Sequence, residues 1–307
     1  MNPYHSGALA VQARAGVSQR AAYVGSVAFS TSLFPMFGQF LAMQPMLVIG
    51  AEDADGQAWC SLITGRPGFM KADSPDVIQI QANVLPDDPL EIALGSGSTM
   101  VGTTAIDPRL RRRIRVNGTA TPSTHGLTIH TERVFGNCPK YLQRRELLEV
   151  PDESGTSPPE APALDVRRST RLTGLQQSFI RAADTFFMTT VAPGDVEASH
   201  RGGNPGFVEV VSPTSLRWCD YPGNTMFLSL GNIEIDGRAG LLFVDWSTGT
   251  TIQLTGRART TFSEDGTRSV GFDIAQIVEV VAASRLRWSE PMFSPSNPPV
   301  SCSPGRY

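Results

Sequence analysis

The sequence predicts a mainly β protein with minor α, built as two tandem copies of one small barrel, and three observations carry that prediction. The first is a repeat. Residues 138 apart agree at turn-forming positions: Gly56 falls on Gly194, Ser61 on Ser199, Gly65 on Gly203, and PGF at 67–69 on PGF at 205–207. The register continues without a gap through Gly102 on Gly240, Asp107 on Asp245, and NGTA at 117–120 on TGRA at 255–258. Similarity at a fixed period marks copies of one structural unit. The second observation is the succession of β-branched and aromatic runs broken by Pro-Gly, Ser-Pro and Gly punctuation. The third is the spacing of those runs, short and regular as in a small closed barrel.

Taken in order, residues 1–40 read as a helical preface and 41–150 as the first copy. VPDESGTSPPEAPALDVRRST, rich in Pro, Ser and acids, lies in a connecting segment assigned to 151–174. The second copy runs over 175–290 and a tail over 291–307. Within the second copy, LQQSFIRAAD reads as a helix, followed by DTFFMTTVAPGDVEASHRGG as strand, turn and returning strand. FVEVVSPTSLRWCDY gives a hairpin around Ser-Pro, and NTMFLSLGNIEID a short helix with Met226, Phe227 and Leu230 at helical spacing. RAGLLFVDWSTGTTIQLTGRARTTF gives two more strands around Thr248 and Gly249, and VGFDIAQIVEVVAAS a last one.

Composition excludes several classes of partner. The 307 residues carry 40% apolar side chains, enough for a substantial core, and a net charge of −3, which asks for neither nucleic acid nor an acidic membrane surface. No run of 18 apolar residues occurs, and MNPYHSGALAVQARAG lacks the charged-then-apolar pattern of a signal peptide, so the expectation is a cytoplasmic protein with no membrane contact. Cys60, Cys138, Cys219 and Cys302 are single, and His5, His125, His130 and His200 form no paired motif, so no metal site is expected. Cys138 and Cys219 have no visible activating partner and read as core residues.

The copies have diverged where chemistry would sit. A fused duplicate makes a two-fold interface within one chain, and a ligand site there draws on both halves. Opposite Ser199, His200, Arg201 and Gly202 the first copy has Ser61, Leu62, Ile63 and Thr64, keeping the hydroxyl and losing the imidazole and guanidinium. Conversely VFGNCPKYLQRR closes the first copy with Asn137, Lys140, Tyr141, Gln143, Arg144 and Arg145, where the second has the plainer VEVVAASRLRW. The stretch ASHRGGNPGFV therefore has two readings. Gly202, Gly203 and Gly206 serve a barrel corner, or they let the main chain approach a phosphate that Ser199 and Arg201 contact. His200 alternates in strand phase with its neighbours and reads equally as a structural histidine or an acid. Asn224 and Thr225 read as a helix N-cap, an anion site, or both. The run RLRRRIR, Arg109 to Arg115, falls on a hairpin and reads as a solvated turn, with the alternative that one arginine reaches a phosphate or a docking partner.

The pattern DTFFMTTVAPGDVEASHRGGNPGFVEV, then PGNTMFLSLGNIEIDGRAGLLFVDW and IQLTGRA, resembles the FMN-binding split-barrel proteins related to pyridoxamine 5'-phosphate oxidase. It is most similar to the subgroup that in some bacterial proteins precedes a ferredoxin-reductase-type module. The most specific pieces are SHRGGNPGFV, NCPKYLQRR and the closing SPSNPP; the resemblance covers 175–298 more closely than 40–145. It implies two tandem six-stranded split β-barrels forming an intramolecular pseudo-dimer, with FMN between them. The implied cofactor-binding residues are Ser199, His200, Arg201, Gly202, Gly203, Asn224, Thr225, Lys140, Tyr141 and Gln143. Lys140 would meet the flavin N1 and O2 region, with a solvated strand-end charge as the other reading, and Tyr141 either stacks on the ring or packs. The implied function is an FMN-dependent oxidoreductase transferring hydride or electrons with a small-molecule substrate, NAD(P)H or an electron-transfer protein, as monomer or homodimer. A flavin carrier without turnover of its own and a scaffold with a decayed site are the alternatives. The Arg-rich phosphate signature and substrate-binding tail of true pyridoxamine phosphate oxidases are not recognisable, which argues against vitamin B6 chemistry.

Overall fold

The computed structural model describes residues 3–149 and 164–300. Three helices come first: α1 (Ser6–Arg14), α2 (Ser18–Ala28) and α3 (Pro35–Ala42), the last opened by a proline whose fixed φ suits a first helical position. The first sheet is built from β1 (Met46–Glu52), β2 (Ala58–Thr64), β3 (Met70–Ser74), β4 (Val77–Ile80), β5 (Thr99–Asp107), β6 (Arg112–Ser123) and β7 (Gly126–Gly136), with the short α4 (Glu91–Gly95) before β5. After β8 (Leu147–Glu149) and β9 (Val166–Ser169) comes α5 (Gly174–Ala182), held by a capping box between Thr173 and Gln176. The second sheet then uses β10 (Thr185–Ala192), β11 (Asp195–Gly202), β12 (Val208–Ser212), β13 (Ser215–Cys219), β14 (Arg238–Val244), β15 (Thr251–Phe262) and β16 (Arg268–Val280), with α6 (Leu228–Ile235) before β14 and β17 (Arg287–Trp288) last.

The two sheets have the same strand order. The first runs β2-β1-β5-β6-β7-β4-β3 and the second β11-β10-β14-β15-β16-β13-β12, with β9 pairing β16 in addition. Irregularities recur at the repeat spacing. The β6–β7 ladder slips between Asn117 and Gly118 and the β15–β16 ladder between Thr255 and Gly256; the β3–β4 and β12–β13 hairpins slip at Ala72/Ser74 and Val210/Ser212. A bulge re-aims a strand and is a specific feature of a fold, so its recurrence at matched positions ties the sequence repeat to backbone geometry.

The sequence differs from the structure in three details of organisation. Each path carries seven strands rather than six, because both hairpins of every half stay in one continuous sheet. The stretch read as a connector from 151 to 174 lies outside the described residues up to 163, but Val166–Ser169 is a strand, not a loop. The helical preface extends to Ala42. Tail residues 301–307 lie outside the described residues.

Each half has its own core, and a third cluster joins them. Leu47, Ile49, Trp59, Ile63 and Ile129 centre the first; Phe186, Met188, Trp218, Phe243 and Leu254 the second. Met46, Val48, Cys60, Phe187, Leu242 and Trp246 pack across the seam. Strands β1 and β10 are therefore buried on both faces, which explains the apolar run of β1 and the absence of charged residues from β10. The seam is tight in a reciprocal way. A Cβ at Gly102 would lie 2.5 Å from the Ala198 backbone nitrogen, and one at its counterpart Gly240 2.6 Å from the Ala58 carbonyl oxygen. Only glycine admits that approach. No helix of the described residues is long and apolar enough to cross a membrane.

Candidate functional site

A cavity opens in the seam, spanning about 950 Å³ when the space open to solvent at its mouth is included. Its walls come from both halves: β6 and the segment after β7 on one side, and β11, β13 and the start of α6 on the other. Ser199, His200, Arg201 and Gly202 all line it, although alternate residues of a strand point to opposite faces. The reason is that β11 is the edge of its sheet, so the cavity wraps around it. Ser199 faces its own half, where Ser229 of α6 donates to its hydroxyl at 3.2 Å. His200 faces the other half, where Arg113 meets it at 3.1 Å.

The electrostatics are those of a site short of an anion. Arg113, Arg115 and Arg201 converge on the cavity. Arg115 is neutralised by the buried Glu197, which also accepts from Asn117 at 2.7 Å and Arg133 at 3.0 Å. Arg113 and Arg201 have no carboxylate partner among the described residues, and the Nε of Arg201 makes no hydrogen bond there. Asp220, the acid that attracts Arg201, is itself bonded to Arg268 at 3.0 Å. Burial, then the charge of Arg201, pulls Arg113 down to about 10. Burial likewise lowers Arg115 and Arg201 from the ordinary guanidinium value, Arg115 also through the charges of Arg201 and Arg113. Burial first, then Arg113 and Arg201, holds His200 well below the ordinary imidazole value, so the ring is neutral.

The backbone around the cavity is unusual as well. Tyr141, Thr225 and Phe227, three of the six non-glycine residues with positive φ among those described, all line it. Such conformations cost free energy and concentrate at functional sites. Gly202 answers the opposing chain: a Cβ there would lie 2.0 Å from the carbonyl oxygen of Tyr141. The Tyr141 hydroxyl donates to the Pro222 carbonyl at 2.8 Å and its ring packs on Tyr221, so the segment after β7 straps across to the second half. Arg145 completes the strap with an ion pair to Asp184 at 2.6 Å.

Of the ten residues singled out in the sequence, eight line the cavity: Ser199, His200, Arg201, Gly202, Asn224, Thr225, Lys140 and Tyr141. Gly203 and Gln143 do not. Gly203 turns the chain over Phe207, and the buried Gln143 amide is spent on Tyr141, Asp184 and Gly203 carbonyls and on donors from Ser294 and Asn297. Asn224 is not the cap of α6, whose N-cap is Phe227; its Oδ1 accepts from the Met226 N–H at 3.1 Å in a local turn. Lys140 is exposed at the rim. Cys138, read as a core residue, is exposed and lines the cavity, because the chain leaves the sheet at Gly136. Arg113 and Arg115 were masked by the arginine run that reads as a turn. The turn ends at Arg111, and the two stand on one face of β6. Their counterparts Thr251 and Gln253 are uncharged, so the repeat itself carried the signal.

No family model matches the chain, and no curated protein matches it. Solved structures that match part of the chain include HupZ from Group A Streptococcus, 10% identical, covering 34% of this chain and 92% of that one with a TM-score of 0.28. Others are an FAD-binding protein from Mesorhizobium loti (11% identical, 38% of this chain and 96% of that one, TM-score 0.28) and one from Mycobacterium smegmatis (14%, 38%, 96%, 0.26).

Proposed function

We propose that the seam cavity binds a phosphorylated flavin of the FMN type, and that the protein is a flavoprotein oxidoreductase. The observation that carries this is the pair of cations, Arg113 and Arg201, that share the cavity without a salt bridge of their own among the described residues, the carboxylate that lines it, Asp220, being paired with Arg268. A phosphate monoester supplies the missing charge, and guanidinium forks suit its oxygens. The start of α6, which has no side-chain cap, adds main-chain donors on the same wall. The aromatic lining from Tyr141, Tyr221, Trp218, Phe207 and Phe227 fits a flat heterocycle.

When bound, a flavin supplies hydride or single-electron transfer. The residues of this chain bind and orient. Arg201 and Arg113 hold the anion. His200, neutral with its Nδ1 accepting from Arg113, keeps a proton on Nε2 available as a donor. Gly202 lets the Tyr141 strap close one wall. The test is the visible absorption of the purified protein beside that of Arg201→Ala. Flavin bands in the first and their loss on dilution of the second support the reading; colourless wild-type protein that takes up no added FMN contradicts it.

A further inference from the structure

The position related to the cavity by the 138-residue spacing also lies in the seam, and it is closed. Leu62 and Ile63 stand there for His200 and Arg201, and Thr251 and Gln253 for Arg113 and Arg115. What remains is a dent of about 320 Å³ counted out to its mouth, lined by Leu62, Leu85, Asp88, Gln253 and Val280 among others. Ser61, the counterpart of Ser199, donates to Asp88 Oδ1 at 2.7 Å, and the Leu90 N–H donates to the same oxygen at 2.9 Å. Gln253, the counterpart of Arg115, donates from Nε2 to Asp88 Oδ2 at 3.1 Å and to Ser61 Oγ at 2.9 Å. Both oxygens of Asp88 thus accept from donors, and those donors come from both halves; burial raises this carboxyl above its ordinary value, and the bonds from Ser61, Leu90 and Gln253 oppose that by favouring the ionised form. Two of them occupy the positions from which Ser199 and Arg115 line the open cavity.

We propose that Asp88 is a built-in anion that fills the second seam site, so that the chain holds one phosphorylated ligand and not two. The stoichiometry rests on the flavin reading above; the occupancy of the second site by Asp88 does not. The carboxylate does at this end what a bound phosphate does at the other, satisfying the seam donors and bridging the halves. Loss of the two arginines removes the charge that would draw an external anion, and the apolar Leu62 lines the approach.

Two measurements test this. Thermal unfolding of Asp88→Ala and Asp88→Asn is followed with sodium formate and, at equal ionic strength, sodium chloride. Asp88→Ala should melt below wild type and recover most of the loss in formate but not in chloride, since formate carries the missing carboxylate; Asp88→Asn should also melt below wild type, because its NH2 faces donors. An Asp88→Asn protein as stable as wild type, or formate acting no better than chloride, overturns the proposal; if Asp88→Ala does not fold, Asp88→Asn decides. Titration of wild type with FMN should saturate at one per chain, and two tight equivalents overturn it. A chain that binds no FMN sinks the flavin reading alone, and the formate experiment still judges Asp88.

Discussion

Arg113 donates from Nη1 to Nδ1 of His200 at 3.1 Å, and this contact across the seam sets the tautomer of the imidazole. A guanidinium has no lone pair to offer, so Nδ1 accepts and the ring proton resides on Nε2. Nε2 has no partner among the described residues, which leaves a buried donor on a cavity-lining ring.

The neutral state of His200 predicts a pH dependence with a definite sign. Its folded pKa lies well below the unfolded value of about 6.5, so the unfolded chain takes up the proton first as pH falls. The stability that comes with a neutral His200 is complete above that value and is lost progressively below it. Urea denaturation between about pH 8 and 5 should show a falling midpoint, and His200→Gln should flatten the fall. An identical slope in the variant would remove His200 as its source.

Gly202→Ala puts a methyl 2.0 Å from the Tyr141 carbonyl oxygen, which belongs to a strap tied down at both ends. Overpacking of this kind costs about 1–3 kcal/mol. A lowered melting temperature is expected, with Gly136→Ala, whose added Cβ meets nothing within 4 Å, as the comparison. Equal melting of the two variants would show that the strap yields.

Arg145 and Asp184 lie at 2.6 Å, both buried, one on the strap and the other at the entrance to β10. Removing one partner leaves an uncompensated charge, at a cost of about 3–5 kcal/mol. Arg145→Met should therefore lose that much in urea denaturation, and a loss below about 1 kcal/mol would mean that water reaches the pair.

Much of this was legible because turns punctuate the chain. Pro-Gly, Ser-Pro and the paired glycines place the hairpins, and the matched bulges at Asn117/Gly118 and Thr255/Gly256 fall where the repeat places NGTA on TGRA. Divergence between copies pointed to Ser199, His200, Arg201 and Gly202, since the second copy keeps an imidazole and a guanidinium where the first has Leu62 and Ile63. Arg113 and Arg115 were hidden because a run of arginines looks like a solvated turn until the hairpin is known to end at Arg111. Gln143 shows the opposite failure: a polar side chain in a promising motif that spends its bonds on the strap, on the Asp184 and Gly203 carbonyls and on the C-terminal segment. Asp88 gave no signal, since its side-chain partners Ser61 and Gln253 lie far away in sequence, the second on the other half.

The central claim is that the cavity recognises the phosphate of its ligand through Arg201 and Arg113. The most direct measurement compares the dissociation constants of FMN and of riboflavin, which lacks the phosphate, by quenching of flavin fluorescence in wild type, Arg201→Ala and Arg113→Ala. Charge-assisted hydrogen bonds of about 1.5–3 kcal/mol predict that wild type prefers FMN by at least about tenfold and that each substitution erases most of that preference. Equal affinity of wild type for the two flavins, or a preference untouched in both variants, would contradict it.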